Sequence, residues 1–90
     1  MEPDAKKKVT IYSPFDEINT LQTEIMTFIC NWVKEKKTPV PHKEVIREMK
    51  TRKIHDFTTY NALMVLLKRG YIRRAYTNSN RTFYVQLRSL

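Results

Sequence analysis

The sequence DFTTYNALMVLLKRGYIRRAY, residues 56–76, changes its periodicity at Gly70, the only glycine of the chain. Before Gly70, apolar residues recur at helical spacing, and Asp56 is a favourable helix N-cap. We therefore predict a helix from Asp56 to about Arg69, ended by Gly70 in a left-handed conformation. After Gly70 the pattern alternates, and residues 71–76 are rich in β formers, which predicts a strand.

A second strand follows this one closely. Residues 77–80, TNSN, have the composition of a turn. Residues 82–87 then alternate, with Phe83, Val85 and Leu87 on one face. The C-terminal part of the chain is therefore predicted to be a β-hairpin.

A long amphipathic helix is predicted upstream. Asn19 and Gln22 have the spacing of a capping box at a helix start. Apolar residues that begin just before Asn19 form one stripe at spacings of three and four. This stripe comprises Ile18, Leu21, Ile25, Phe28, Ile29, Trp32 and Val33.

A shorter helix is expected between these two. Residues 38–41, TPVP, cannot continue a helix and predict an extended link. The next helix should begin at Pro41 or His42, because proline is tolerated in a first helical turn. Its buried face would consist of Val45, Ile46 and Met49, and residues 51–55 would connect it to the third helix.

The order helix, link, helix, turn, helix and hairpin is that of a winged helix-turn-helix. The predicted fold class is α+β, mainly α, with three helices and a C-terminal β-hairpin wing. Ninety residues suffice for one domain. We expect residues 1–12 to form a flexible basic arm and residues 13–90 to form the domain.

The charge is distributed unevenly along the chain. The net charge is +8, yet all nine acidic residues lie at or before Asp56. Residues 57–90 hold six basic residues and no acidic one. Such a segment favours a polyanionic partner. A nucleic acid is the first expectation, and a membrane headgroup surface is the second.

Three segments resemble a known family. They are residues 19–29 (NTLQTEIMTFI), 38–49 (TPVPHKEVIREM) and 63–74 (LMVLLKRGYIRR). Together they look like the DNA-binding domain of the bacterial SOS repressor, and residues 58–74 are also similar to penicillinase-repressor and MarR-type winged helices. The resemblance covers residues 18–88. It implies a transcription regulator, a repressor, that binds double-stranded DNA at an operator.

The same resemblance assigns the groove-reading positions of the third helix. They are His55, Phe57, Thr58, Tyr60 and Asn61. The Asn61 amide suits adenine, although it could also be an ordinary exposed side chain. Val65 could touch a thymine methyl group or fill a protein contact.

Basic and polar side chains at the end of the third helix and on the wing are expected to contact phosphates. They are Lys68, Arg69, Arg73, Arg74, Asn80 and Arg81. Lys68 and Arg69 could equally stabilise the end of the helix through its dipole. Alternation places Arg73 and Arg74 on opposite faces of the strand, and Arg81 lies next to the turn.

Catalytic and metal sites are not indicated. Cys30 is the only cysteine and is expected to be a core thiol. His42, expected to be exposed, and His55 lie 13 residues apart, which is not a metal-ligand spacing. We expect no enzyme activity, cofactor or small-molecule ligand, and an intracellular location without a membrane segment.

Three alternatives remain open at this point. Val65 and Met64 are predicted to face outward, so the domain could bind a protein of the transcription or replication machinery. Tyr71, Tyr76 and Tyr84 could stack on unpaired bases, or they could pack across strands. A homodimer would enlarge the surface buried on DNA, with residues 9–16 and the first helix as candidate contacts. A small protein of this kind is expected from a phage or plasmid.

Overall fold

The computed structural model describes residues 19–89. It contains three helices and three strands. In chain order they are α1 (Thr20–Lys36), β1 (Val40–Pro41), α2 (His42–Thr51), α3 (Asp56–Lys68), β2 (Ile72–Tyr76) and β3 (Thr82–Gln86). The predicted arm at residues 1–12, the domain boundary after it and the helix-flanking Ile18 lie outside the described residues.

The start of α1 confirms the predicted capping box. The Asn19 side chain accepts a hydrogen bond from the Gln22 backbone N–H at 2.9 Å. The Gln22 side chain accepts one from the Asn19 backbone N–H at 3.1 Å. These two bonds satisfy backbone donors that the first turn of a helix leaves free. The helix ends at Lys37, a left-handed residue with φ 60° whose N–H donates to the Val33 carbonyl.

Helix α2 begins where predicted, at His42, with Pro41 as its N-cap. Val45 and Met49 are buried and Ile46 is half-buried. One arginine joins α2 to α1, because the Arg52 guanidinium lies 3.0 Å from both the Glu48 and the Glu24 carboxylates. This pair of contacts holds α2 across α1 at the surface.

The sheet has one strand more than the sequence predicted. Residues 38–41 were expected to be a link, but Val40 and Pro41 form β1 and pair antiparallel with Tyr84 and Phe83 of β3. The strand order is β1-β3-β2, so β3 is central. A two-residue strand is too short to show a period. Proline is tolerated in it because β1 is an edge strand.

The core lies between the three helices and one face of the sheet. Ile25 and Ile29 from α1, Met49 from α2 and Leu63 from α3 are all fully buried. From the sheet, the buried side chains are Val40, Tyr71, Ile72 and Tyr84. The face of β3 that the sequence grouped as Phe83, Val85 and Leu87 is the one directed away from this core, and Leu87 is 53% exposed. Cys30 is half-buried and packs against the core, as expected.

Candidate nucleic-acid interface

Helix α3 begins with a different cap from the one predicted. The N-cap is His55, whose Nδ1 accepts a hydrogen bond from the Phe57 N–H at 3.1 Å. Asp56, the predicted cap, is the first helical residue and lies 3.4 Å from the Lys50 ammonium group. The other end of α3 agrees with the prediction, because Gly70 follows the helix with φ 78°.

The polar side of α3 is accessible. Thr58 and Asn61 are exposed, and so are Lys68 and Arg69 at the end of the helix. Phe57 is 66% exposed and Tyr60 43%. The expectation that Val65 and Met64 face outward is only partly right, since both are half-buried. They line a shallow apolar depression of about 430 Å³ with Leu67 and Lys68.

The wing is the hairpin of β2 and β3 with residues 77–81 between them. Two backbone hydrogen bonds close its turn, from the Thr77 N–H to the Arg81 carbonyl and from the Asn80 N–H to the Thr77 carbonyl. A third bond runs from the Arg81 N–H to the Thr77 hydroxyl. Asn80 has the left-handed φ of 61° that asparagine tolerates. These contacts place Arg81 next to a fixed tip, where its side chain is exposed.

Two further arginines of the wing, Arg73 and Arg74, lie on opposite faces of β2, and both are exposed. Arg73 is paired in register with Val85, and Arg74 is paired with Tyr84. Directly paired residues share a face, so Arg74 lies on the face that leads to the core and to α3. As predicted, the two arginines lie on opposite faces of the strand. The expected difference between an outward side chain and one that flanks the sheet is absent, because both side chains are exposed.

A hydrogen bond that the sequence did not reveal joins α2 to the wing. His42 Nδ1 lies 2.7 Å from the Tyr84 hydroxyl, and the two rings are 5.7 Å apart. His42 is half-buried, so the expectation that it is exposed is wrong. The two residues are 42 positions apart in sequence, and only the sheet brings them together.

Burial sets the charge state of this pair. It lowers the pKa of His42 below 6.5, although the Asp56 carboxylate acts in the opposite direction. It also raises the pKa of Tyr84 to about 12, with Arg74 lowering it and the Tyr60 and Tyr76 phenols raising it. Near neutral pH both rings are therefore uncharged, and the centre of the surface between α2, α3 and the wing is polar but neutral.

The tyrosines of the hairpin divide into two groups. Tyr71 and Tyr84 are buried, so the idea that they stack on unpaired bases is wrong. The Tyr71 ring instead lies 4.9 Å beneath the Arg88 guanidinium. Tyr76 is 64% exposed and is available to a ligand.

Carboxylates near this surface are paired. Glu44 binds Arg47, Asp56 binds Lys50, and both Glu24 and Glu48 bind Arg52. The segment from residue 57 onward contains no acidic residue to pair with the wing arginines. The described residues thus present a positive edge that consists of the wing and the end of α3.

Residues 19–89 contain no group of three or more histidine, cysteine or acidic side chains that could hold a metal ion. Over the same residues no helix is long and apolar enough to cross a bilayer.

No family model matches the sequence, and no curated protein matches it. Among solved structures, a manganese uptake regulator is similar to this chain, with a TM-score of 0.52 and 19% sequence identity. The match covers 74% of this chain and 51% of that protein, so the chain spans about half the length of its solved neighbour. The fold is a winged helix. The predicted fold class is thereby confirmed, whereas the closer resemblance to SOS, penicillinase and MarR-type repressors remains a prediction.

In this winged helix, α2 and α3 form the helix-turn-helix, and β2 and β3 form the wing. The exposed polar residues described above lie on α3, the second helix of that motif, and the exposed arginines lie on the wing. That these residues contact DNA remains a prediction.

Proposed function

We propose that this winged helix is a transcription regulator, a repressor, that binds double-stranded DNA and has no catalytic role. The observation that supports it is the positive edge of the wing and the end of α3, which adjoins the exposed polar side of α3. An α-helix fits the major groove of B-DNA, and a hairpin with arginines suits the neighbouring backbone. The similarity to a regulator supports the same proposal at the level of fold.

Within this proposal the side chains have separate roles. Thr58 and Asn61 on α3 would reach base edges, while Lys68 and Arg69 would contact phosphates at its end. Arg73, Arg74 and Arg81 would hold the backbone from the wing. His55 would act mainly by capping α3 and so fixing the angle at which the helix enters the groove.

Fluorescence anisotropy with a labelled random duplex tests the proposal. We expect binding at low salt and a steep loss of affinity as salt rises, because each phosphate contact releases counterions. Arg81→Gln should weaken binding to every duplex. Lys34→Gln is a charge-matched control, since Lys34 lies beside Gln86 and Ser89, at the end of β3 opposite the turn. Absence of duplex binding at low salt would refute the proposal.

A second candidate function is protein binding by α3 to a component of the transcription or replication machinery. The shallow depression at Met64, Val65 and Leu67 is the observation that favours it, because its lining is mostly apolar. The same titration separates the two candidates. A protein-binding domain would show no duplex affinity that depends on Arg81.

A further inference from the structure

Three exposed aromatic side chains lie where α2, α3 and the wing meet, and we call them the aromatic corner. Phe57, Tyr60 and Tyr76 are 66%, 43% and 64% exposed. Large aromatic rings usually bury most of their area, so a group of exposed rings indicates a binding surface. Leu87, another exposed large apolar residue, follows β3 at the end away from the turn, where its N–H donates to the Tyr71 carbonyl.

Tyr84 connects the members of the aromatic corner. Tyr76 lies two residues beyond Arg74 on β2 and so shares the sheet face of Arg74 and its partner Tyr84. The Tyr84 hydroxyl bonds to His42, and the ring of His42 lines a depression together with Phe57 and Tyr60. The effect of the Tyr60 and Tyr76 phenols on the pKa of Tyr84 agrees with this proximity.

The depression between α2 and α3 has a volume of about 540 Å³, which accommodates a nucleobase. Ile46 and the two α3 aromatics supply its apolar lining, and polar side chains supply the rest of the lining. The Asp56 carboxylate can accept hydrogen bonds from the amino groups of a base, but it repels a phosphate. His55 uses Nδ1 to cap α3, so in the neutral ring Nε2 carries the proton and can donate to a base.

Charge around the aromatic corner favours a polyanionic ligand. Lys43 lines the depression, and Arg81 lines an adjoining one of about 320 Å³ with Pro41 and Phe83. Arg74 is exposed on the sheet face of its partner Tyr84, two residues before Tyr76 on β2. Cations at the rim with flat apolar rings between them are the combination that binds unpaired nucleotides, whose bases stack on the rings.

A paired base cannot stack on such a surface. In a duplex the faces of each base are covered by its neighbours, and the groove exposes only base edges and the thymine methyl group. We propose that the aromatic corner binds two adjacent unpaired nucleotides next to a duplex, with one base against Phe57 and Tyr60 and the other on Tyr76. The inference rests on the proposed function, because the wing and the end of α3 hold the neighbouring duplex.

The test compares three labelled DNA probes of equal length in the presence of the full chain. They are a perfect duplex, the same duplex with a two-base bulge that contains 2-aminopurine, and the free single strand that carries 2-aminopurine. We expect the bulged duplex to bind about tenfold more tightly than the perfect one. We also expect 2-aminopurine fluorescence to be quenched as the base stacks on the protein.

Conservative variants connect this preference to the aromatic corner. Phe57→Leu, Tyr60→Leu and Tyr76→Leu keep an apolar side chain but remove the ring, and all three positions are exposed, so the fold should survive. We expect the bulged-to-perfect affinity ratio to fall toward one and the quenching to diminish. Leu87→Ala is the control at an exposed apolar site elsewhere and should change neither reading.

The outcomes separate this inference from the proposed function. Binding of the perfect duplex with an affinity ratio near one and no quenching overturns the inference and leaves the proposed function standing. Quenching that persists in Phe57→Leu/Tyr60→Leu also overturns it. Quenched binding of the single strand without duplex binding refutes the proposed duplex function and overturns the inference with it, because no duplex is then held beside the unpaired bases.

Discussion

His42 Nδ1 and the Tyr84 hydroxyl oxygen are 2.7 Å apart, which joins the first turn of α2 to β3, the central strand of the sheet. Tyr84 is buried and His42 half-buried, and burial raises the pKa of Tyr84 and lowers that of His42. The hydrogen bond thus unites two residues that are each neutral over a wide pH range. Stability and wing orientation should therefore depend on pH at the two ends of that range.

Acid should destabilise the fold through His42. Its pKa is lowered in the folded state, so the unfolded chain binds the proton first as the pH falls below about 6.5. The stability contributed by neutral His42 is complete above that value and is lost as the pH falls toward the folded-state pKa. Urea unfolding between about pH 5 and 8 should show this loss, which His42→Gln should reduce. An acid loss that is unchanged in His42→Gln would contradict the prediction.

Alkali should destabilise the fold through Tyr84. Its pKa is raised from 10.0 to about 12, so the unfolded chain loses this proton first. The corresponding stability is complete below pH 10 and is lost as the pH rises through about 12. At neutral pH, Tyr84→Phe should cost about 1 kcal/mol of unfolding free energy, because His42 Nδ1 loses its partner. Denaturant titration of both proteins at neutral and alkaline pH measures the two effects, and an identical alkaline loss in Tyr84→Phe would be inconsistent with them.

The cap of α3 gives a prediction that distinguishes His55 from Asp56. His55→Ala should lower the unfolding free energy by about 1 kcal/mol, because the Phe57 N–H loses its acceptor. Asp56→Asn keeps the size of the side chain and removes an exposed ion pair with Lys50, which should cost less than about 0.5 kcal/mol. Thermal and urea unfolding of the two variants provide the comparison. The reverse ranking would show that Asp56 is the energetically important cap.

The helical part of the fold was predictable because its signals are local. The Asn19 capping box and the break at Gly70 each lie within a few turns of chain and are confirmed. The described members of the apolar stripe are buried or packed against the core, as predicted. Asp56 was a reasonable cap on composition alone. In the structure the cap is His55, because its Nδ1 accepts the hydrogen bond of the Phe57 N–H. A shift of the cap by one residue does not change the apolar periodicity of the helix, so the sequence pattern could not reveal it.

The site was less predictable because it depends on contacts distant in sequence. Val40 joins the sheet because β3 returns beside it, and His42 meets Tyr84, 42 positions away, across the same sheet. Alternation in β3 gives two faces but does not tell which one meets the helices. The exposed arginines of the wing, by contrast, followed from charge, because residues 57–90 contain no acidic residue.

The backbone at position 53, in the connection between α2 and α3, should accommodate glycine better than the lysine that occupies it. Its φ is 63°, a left-handed value that costs a side-chain-bearing residue about 1 kcal/mol. Lys53→Gly should therefore raise the unfolding free energy by roughly 0.5 kcal/mol, after allowance for the greater freedom of glycine in the unfolded chain. Lys53→Ala removes the same charge and keeps the strain, so it should bring no such gain. Equal stability of the two variants in urea would argue against a backbone cause.

Sequence reading by α3 is the most demanding prediction, and Asn61 is the residue to test. Asn61 is exposed on α3, and its amide can form two hydrogen bonds with an adenine in the major groove. Once a preferred site has been selected from random duplexes, Asn61→Ala should lower discrimination at one base pair by about 1–3 kcal/mol and leave random-duplex affinity nearly unchanged. Arg81→Gln should instead weaken all duplexes alike and reduce the salt slope by about one. Asn31→Ala, at an exposed asparagine on α1, is the matched control and should alter neither quantity. If Asn61→Ala and Asn31→Ala give the same discrimination profile across all positions, α3 does not read bases through Asn61.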